Sequence, residues 1–303
     1  MIYTVTFNPA VDYIVQLNTL QPGAINRAQS AGIQFGGKGI NVAVLLQNLG
    51  VPTTALGFVA GFTGAALQAS LHQAGIKANF IGLPAGHTRI NVKVKAGEET
   101  EINGPGPAIP QQAIKQLLNQ LSTLAAGDIL VLAGSVPPGV ATTVYSQIMA
   151  SLPAKATRVV VDATDALLAN TLPHHPFLIK PNLAELSELA GRPLHTQPEV
   201  AAAAKQLQQR GARNVLVSLA GNGALLLDET GELHTATAPK GVVVNSAGAG
   251  DAMVAGFLAG YLTSESYPKA LQMGIAAGSA TAFAKGMATK GAIDALLKEM
   301  QTE

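Results

Sequence analysis

The sequence predicts an α/β protein with a doubly wound, mostly parallel sheet and helices on both faces. Short runs rich in β-branched residues alternate with helical patterns along most of the 303 residues. Several of these runs are apolar at nearly every position, as in strands covered by helices on both sides. No linker, repeat or low-complexity tract divides the chain. We therefore expect one domain over residues 1–303.

Each element is placed by its own pattern of apolar residues and by the glycines and prolines that bound it. Strands are predicted over residues 2–7, 53–58, 129–133, 158–162, 177–180 and 214–218. Helices are predicted over residues 39–49, 62–74, 111–124, 141–151, 199–210, 249–262, about 268–283 and 291–300.

Two stretches lack the intervening helices. Residues 11–17 with 27–35, and 89–95 with 99–103, are typical of β-hairpins, the second turning at Ala96-Gly97-Glu98. Apolar and polar residues alternate over 89–95, so one face of the strand is expected to be buried and the other solvated. We predict a small β-sheet lid built from about 11–35 and 88–104. An apolar face on such a sheet makes a homodimer through the lid a hypothesis.

Composition excludes several classes of function. The formal charge is +1, from 19 basic and 18 acidic residues, so no net field attracts nucleic acid or anionic lipid. The absence of cysteine excludes disulfides, thiol catalysis and a thiolate zinc site. No signal peptide and no apolar run of roughly 18 residues is visible. We expect a cytoplasmic protein that binds neither nucleic acid nor membrane.

A glycine turn before an apolar helix is the most informative segment. The run NSAGAGDAMVAGFLAGYL places Gly248, Ala249 and Gly250 at a helix start and Asp251 directly after them. The first amides of a helix lack intrahelical acceptors, and glycine lets an anion approach them. Because a carboxylate would repel bound phosphate, Asp251 is better explained as a base that takes a hydroxyl proton. The turn predicts a phosphoryl-transfer site with Asp251 as general base and residues 248–251 as anion hole.

A second glycine cluster precedes another helix, in FGGKGINVAVLLQNLG from Phe35 to Gly50. It nearly fits the P-loop pattern but has Gly39 where the P-loop needs a hydroxyl for Mg²⁺. The better interpretation is a close backbone approach to a polar small molecule, with Lys38 and Asn41 directed at it. The alternative is a purely structural helix start.

Together the two motifs resemble the PfkB, or ribokinase-like, sugar kinase family: GGKGINVA matches its N-terminal pattern and NSAGAGD its C-terminal one. The opening TFNPAVD is similar to the start of such kinases. The resemblance implies a ribokinase-like fold with ATP and Mg²⁺ as cofactors, and sugar hydroxyls held by Asp12, Gly37 and Asn41.

Further segments imply where the nucleotide and metal bind. In KPNLAEL, Asn182 and Glu185 lie on one face of a helix start, suited to the water shell of Mg²⁺. A helix cap by Asn182 is the alternative, and both roles are compatible. VSLAGNGALL resembles the family's turn near the nucleotide phosphates. The nucleotide contacts implied by the resemblance are Lys180, Asn182, Ser218, Gly221, Gly223, Ser246 and Ser279.

The lid segment TRINVKVKAGEETEINGPGP and LAGSVPPG resemble the branch of 1-phosphofructokinases and tagatose-6-phosphate kinases, more closely the former. That branch phosphorylates sugars that already carry one phosphate, here D-fructose 1-phosphate at the C6 hydroxyl. Cations must then hold the resident phosphate. The resemblance assigns this to Lys38, Arg89 and Arg27, with Asn103 and Ser135 as secondary contacts to sugar or phosphate.

Other functions stay open. Tagatose 6-phosphate is an alternative substrate because the two arms of a furanose are related by approximate pseudo-symmetry. A ribokinase or nucleoside kinase is disfavoured, since its substrates bring no phosphate for the cations. A non-catalytic sugar-phosphate sensor would be expected to lose the base or the glycines, and this chain keeps both.

Overall fold

The computed structural model describes residues 1–153 and 157–301. Its strands are β1 (Ile2–Thr6), β2 (Ala10–Gln16), β3 (Ser30–Gly36), β4 (Thr53–Ala60), β5 (Lys77–Leu83), β6 (Arg89–Ala96), β7 (Glu98–Asn103), β8 (Ile129–Ala133), β9 (Arg158–Asp162), β10 (Leu178–Ile179), β11 (Asn214–Ser218), β12 (Ala224–Leu227) and β13 (Leu233–Ala236). Its helices are α1 (Lys38–Asn48), α2 (Gly61–Gln73), α3 (Gln111–Leu121), α4 (Val144–Ser151), α5 (Asp165–Ala169), α6 (Leu183–Ala190), α7 (Gln197–Gln209), α8 (Ala249–Ser264), α9 (Tyr267–Ala282) and α10 (Lys290–Met300).

A nine-stranded sheet forms the centre, in the order β13-β12-β11-β10-β9-β8-β1-β4-β5. The seven strands from β11 to β5 are parallel, while β12 and β13 continue from β11 as an antiparallel meander. Helices α3 to α7 pack on one face, and α1, α2 and α8 to α10 on the other. The predicted doubly wound α/β class is confirmed.

The central strands form because their residues are apolar throughout. In β8, the sequence ILVLA is buried at all five positions, and in β9 only the first residue of RVVVD is partly exposed. Three strands, β5, β12 and β13, were not predicted, and neither was the short helix α5. Strand β5 lies at the sheet edge with four of its seven residues exposed, so it lacks an apolar run. The two meander strands have only four residues each.

A separate four-stranded sheet, in the order β3-β2-β6-β7, forms the lid. Both predicted hairpins are present: β2 pairs antiparallel with β3, and β6 pairs antiparallel with β7 across Gly97. Strands β2 and β6 join the hairpins in parallel. This sheet is built from two separate parts of the sequence, residues 10–36 and 89–103, and its action as a lid stays a prediction.

At the start of β6 the burial is the reverse of the usual pattern. Asn91 is 6% exposed, whereas its apolar neighbour Ile90 is 40% exposed. Register places Gln34, Asp12, Asn91 and Asn103 in one row across the four strands, and the last three of these line a cleft. On the opposite face of β6, Val94 is buried although Ile90 is exposed, so the predicted division into one buried and one solvated face is present only in part.

The cleft lies at the carboxyl ends of the parallel strands, where open α/β sheets bind ligands. Asp162 ends β9 and Ser218 ends β11 at this edge. The first turn of α8 meets the same edge, and the lid lies over it, so residues far apart in sequence line one space.

Gly57 in β4 provides a test of how tightly the central strands are packed. Its φ is 140°, and a Cβ atom there would lie 2.0 Å from the Thr6 carbonyl oxygen. We expect Gly57→Ala to lower the free energy of unfolding by about 3 kcal/mol or more, through strain and overpacking. Gly82→Ala in β5 is the matched control, because nothing lies within 4 Å and its backbone is unstrained. Urea denaturation measures both, and equal effects would contradict this packing.

Candidate active site

The first turn of α8 has the geometry of an anion hole. Gly248 is the N-cap residue, with a left-handed φ of 81°, and the Met287 side chain packs against it. The amides of Gly250 and Asp251 belong to the first turn, which a helix leaves without acceptors of its own. The Ala249 amide instead donates to the Ser246 carbonyl at 3.2 Å. Within the predicted anion hole of residues 248–251, the available amides are therefore mainly those of Gly250 and Asp251.

Asp251 is buried in this turn, and its Oδ2 accepts a hydrogen bond from Asn41 Nδ2 at 2.8 Å. Burial, and then the charge of Asp162, raise the pKa of Asp251 to about 7. The hydrogen bond and the nearby lysines Lys38 and Lys180 act in the opposite direction and are outweighed. A carboxylate with such a pKa can accept a proton at neutral pH, as a general base must.

Asp162 was not predicted, yet it contacts two lysines of the cleft that come from different elements. It is 0% exposed at the end of β9, and its Oδ1 contacts Lys38 Nζ at 3.0 Å and Lys180 Nζ at 3.4 Å. Burial favours the neutral acid, but the two lysines outweigh it and lower the pKa of Asp162. The sequence did contain one indication of its role: Asp162 is a single acidic residue at the end of an apolar strand, at the carboxyl edge of a parallel sheet.

The lid holds Asp12 from two sides. Asn91 Nδ2 donates to Asp12 Oδ1 at 2.8 Å, and Lys93 Nζ lies 3.6 Å from Asp12 Oδ2. Lys93 also pairs with Glu101 at 3.2 Å. Of these residues the sequence indicated only Asp12. The others follow from strand register, because residues 89, 91 and 93 share one face of β6.

Arg89 differs from the other cations of the cleft because it has no carboxylate partner within ion-pair distance among the described residues. Its Nε is buried and lacks a hydrogen-bond acceptor. Burial lowers the pKa of Arg89, and the nearby charge of Asp12 offsets this only in part. A half-buried guanidinium without a partner fits an anionic ligand.

The structure brings most of the predicted residues to one cleft of about 510 Å³. The predicted residues that line it are Asp12, Gly37, Lys38, Asn41, Arg89, Asn103, Lys180, Asn182, Glu185, Ser218, Gly248, Gly250 and Asp251.

Other predicted residues lie outside this lining. Arg27 is exposed in the loop between β2 and β3, so it does not reach the cleft of its own chain. Ser135 is exposed just after β8, next to Gly134, which packs on the Lys38 stem. The remaining five lie in the turns around β11 and α8, at the start of α8 or on α9: Gly221, Gly223, Ser246, Ala249 and Ser279.

Asn182 and Glu185 form a reciprocal cap of α6. Asn182 Oδ1 accepts from the Glu185 amide and Glu185 Oε2 accepts from the Asn182 amide, each at 2.8 Å. The predicted helix cap is thus confirmed. Both side chains also line the cleft, and direct coordination through these oxygens would compete with the cap. The donor set therefore fits a hydrated Mg²⁺, held through its water ligands.

Comparison with known proteins decides the family. The model of the pfkB family carbohydrate kinases matches residues 5–293. The chain belongs to this family. It is an ATP-dependent sugar kinase with a ribokinase-like fold.

Relatives of the kinase cover its full length. A 1-phosphofructokinase of Bacillus subtilis is 43% identical over 301 residues, covering 99% of each chain. A D-tagatose-1-phosphate kinase of Bacillus licheniformis is 37% identical over 302 residues, again covering 99% of each. The structure of an Arabidopsis thaliana ribokinase complexed with ribose and ATP superposes with a TM-score of 0.82 over 98% of each chain. At 22% identity, that similarity concerns the fold alone.

Among the described residues, no helix is both long and apolar enough to cross a membrane.

The raised pKa of Asp251 predicts the pH dependence of turnover. Only the ionised carboxylate can accept a proton, so kcat/KM should rise with pH along an acid limb centred near 7 and level off above it. A steady-state pH profile measures this, with the residual activity of Asp251→Asn as control because it lacks the titrating group. A midpoint below about 5 would be typical of a solvated carboxylate and would contradict the assignment.

Proposed function

We propose that the kinase transfers the γ-phosphoryl group of ATP to the C6 hydroxyl of D-fructose 1-phosphate, giving fructose 1,6-bisphosphate and ADP. The observation that carries the proposal is that Asp251 and Arg89 line the same cleft. A buried base suits a hydroxyl, and an unpartnered guanidinium suits a phosphate already on the sugar. The full-length similarity to a 1-phosphofructokinase supports the same substrate.

The chemistry follows from the position of Asp251. Its carboxylate accepts the C6 hydroxyl proton as that oxygen forms a bond to the γ-phosphorus, and the bond to the β–γ bridging oxygen breaks. ADP leaves with that bridging oxygen. The amides of Gly250 and Asp251 stabilise charge on the equatorial oxygens of the transferring group. Asn41 orients the base through its 2.8 Å hydrogen bond.

The sugar is held between lid and core. Asp12, fixed by Asn91 and Lys93, accepts hydrogen bonds from sugar hydroxyls. Gly37 has a φ of 124°, and a Cβ atom there would lie 2.8 Å from the Thr6 side chain, so only glycine fits this turn. Its backbone lines the cleft and can face the sugar. Asn103 lies in the same polar row of the lid as Asp12.

We assign the nucleotide to the part of the cleft lined by Lys180 and Ser218 and to the turn after β11 that contains Gly221 and Gly223. Ser246 and Ser279 are further candidate contacts to it. Asn182 and Glu185 would hold hydrated Mg²⁺, which would neutralise charge on the nucleotide phosphates.

D-tagatose 1-phosphate is the second candidate substrate, because one full-length relative is named for it. Tagatose differs from fructose only in configuration at C4, so the same base and guanidinium would serve both. Tagatose 6-phosphate, with its phosphate on the other arm, would require the reverse orientation.

We also propose that the kinase forms a homodimer through the lid. Register aligns Ile33, Tyr13, Val92 and Ile102 in a row on the outer face, and Ile33 and Ile102 are 58% and 62% exposed. Exposed apolar patches of this kind mark interaction sites. The face is four strands wide and closes on itself when two copies pair by a twofold axis.

Removing the base should stop turnover without harming the fold. We expect Asp251→Asn to lower kcat by about 10²–10⁴-fold, the contribution of general-base catalysis. Because the Asp251 pKa is raised on folding, its contribution to stability is present at low pH and lost as pH rises through about 7. The variant should therefore melt no lower than the parent at pH 8. Unimpaired kcat would remove Asp251 from this role.

Arg89→Ala tests whether Arg89 binds the phosphate that the sugar already carries. It should raise KM for fructose 1-phosphate at least tenfold while leaving KM for ATP within about threefold, because a lost charged hydrogen bond costs ~1.5–3 kcal/mol. Arg89→Lys is the matched control and should lie between, since lysine keeps the charge without the forked donors. Equal effects on both KM values would argue against a sugar-phosphate contact.

The dimer is tested by Tyr13→Glu. The parent should sediment at twice the chain mass and the variant at the chain mass, because a buried glutamate would face apolar side chains. Leu262→Glu, on an equally exposed leucine of α8, should leave the mass unchanged. A monomeric parent would contradict the proposal.

The substrate is tested by ADP release with MgATP and each candidate sugar phosphate. A kcat/KM at least tenfold higher for fructose 1-phosphate than for tagatose 1-phosphate, tagatose 6-phosphate or fructose 6-phosphate supports the proposal; that ratio is about 1.4 kcal/mol. A preference for tagatose 1-phosphate would keep the base and guanidinium but change the sugar. Binding without turnover of any sugar phosphate would favour the sensor alternative.

A further inference from the structure

Two ammonium groups share one buried carboxylate oxygen in the floor of the cleft. Lys38 Nζ lies 3.0 Å, and Lys180 Nζ 3.4 Å, from the same Oδ1 of Asp162. The other oxygen of Asp162 is buried without a hydrogen-bond partner. Since two positive charges face one negative charge, the group carries a net positive charge toward the cleft.

The group formed by Lys38, Asp162 and Lys180 lies next to the first turn of α8, which carries Asp251. A Cβ atom on Gly250 would lie 3.2 Å from Lys180 Nζ, so that ammonium group rests on the first turn of α8. Burial alone would lower the pKa of Lys38, but Asp162 and Asp251 more than offset it and raise the pKa. Lys38 therefore stays charged beside the base.

The two ends of the substrate need different positions. In fructose 1-phosphate the C6 hydroxyl must reach Asp251, and the resident phosphate lies at the opposite end of the molecule. Arg89 stands on the lid, at the start of β6, where such a distant phosphate can bind. Lys38 instead lies with Lys180 and Asp251, where the phosphoryl group is transferred.

We propose that Lys38 binds the transferring phosphoryl group rather than the resident phosphate of the sugar, and that Asp162 is the positioning residue that holds Lys38 and Lys180 together for it. The proposal rests on the proposed function, because it assumes a sugar phosphate whose hydroxyl meets Asp251. It changes the role that the sequence resemblance gave Lys38.

The arrangement has a physical rationale. Two lysines this close together would repel each other, and the carboxylate between them offsets that repulsion and fixes both side chains in place. Charge that develops on the equatorial phosphoryl oxygens then meets donors that need no rearrangement. Removing one such donor elsewhere typically lowers kcat by about 10²–10³-fold.

Lys38→Met separates the two roles, because it keeps the stem and removes the charge. We expect kcat to fall at least about 100-fold, while the Kd of fructose 1-phosphate, measured by calorimetry without nucleotide, stays within about threefold. Arg89→Ala is the control, with the opposite pattern. If Lys38→Met weakens fructose 1-phosphate binding more than tenfold, or raises KM more than it lowers kcat, the proposal is overturned.

Asp162→Asn tests the positioning role by the pH profile. The charged groups facing Asp251 are Asp162 on β9, Lys38 on α1 and Lys180 after β10. Removal of the Asp162 charge should move the acid limb of kcat/KM to lower pH, and Lys38→Met should move it to higher pH. A purely structural role would lower the melting temperature with no shift of the limb, which would overturn the proposal.

The parent enzyme distinguishes failure of this proposal from failure of the proposed function. If the parent turns over no sugar phosphate, the proposed function fails and this inference fails with it. If the parent is active and Lys38→Met shows only weaker sugar binding, the function stands and the inference alone is wrong. Lys38→Arg, which keeps the charge, should recover part of kcat in a chain that melts like the parent.

Discussion

The site depends on two carboxylates buried close together, Asp251 and Asp162. Their mutual repulsion would be costly in a low-dielectric interior if both were unpaired. The lysines Lys38 and Lys180 keep Asp162 ionised, while Asp251 is left with a raised pKa and a single hydrogen bond from Asn41. In the proposed mechanism one acid is a fixed counter-charge and the other is the base, and their different environments separate the two roles.

The inverted polarity of the lid follows from the same cleft. Asp12, Asn91 and Asn103 lie in one polar row of the lid that lines the cleft, and the proposed binding of a sugar phosphate requires polar groups there. The apolar residues then face outward, where a second copy of the chain can cover them. Substrate binding and self-association therefore place requirements on opposite faces of the same four strands, which links the geometry of the cleft to the proposed dimer.

Local patterns allowed prediction of part of the site. The glycine turn before Asp251 and the Asn182 cap are encoded within a few residues, so the sequence indicated both. Asp162 was not predicted because its role depends on Lys38 and Lys180, which the fold brings to it from two other elements. Strand β5 was missed because an edge strand needs no continuous apolar run. Arg27 was assigned to the cleft by resemblance, yet the fold leaves it on an exposed loop.

The most direct test is a crystal structure of the kinase with fructose 1-phosphate and a non-hydrolysable ATP analogue. We expect the resident phosphate on Arg89, the C6 hydroxyl within hydrogen-bond distance of Asp251, and Lys38 and Lys180 on the terminal phosphate of the nucleotide. A resident phosphate bound by Lys38, with the C6 hydroxyl away from Asp251, would contradict this expectation.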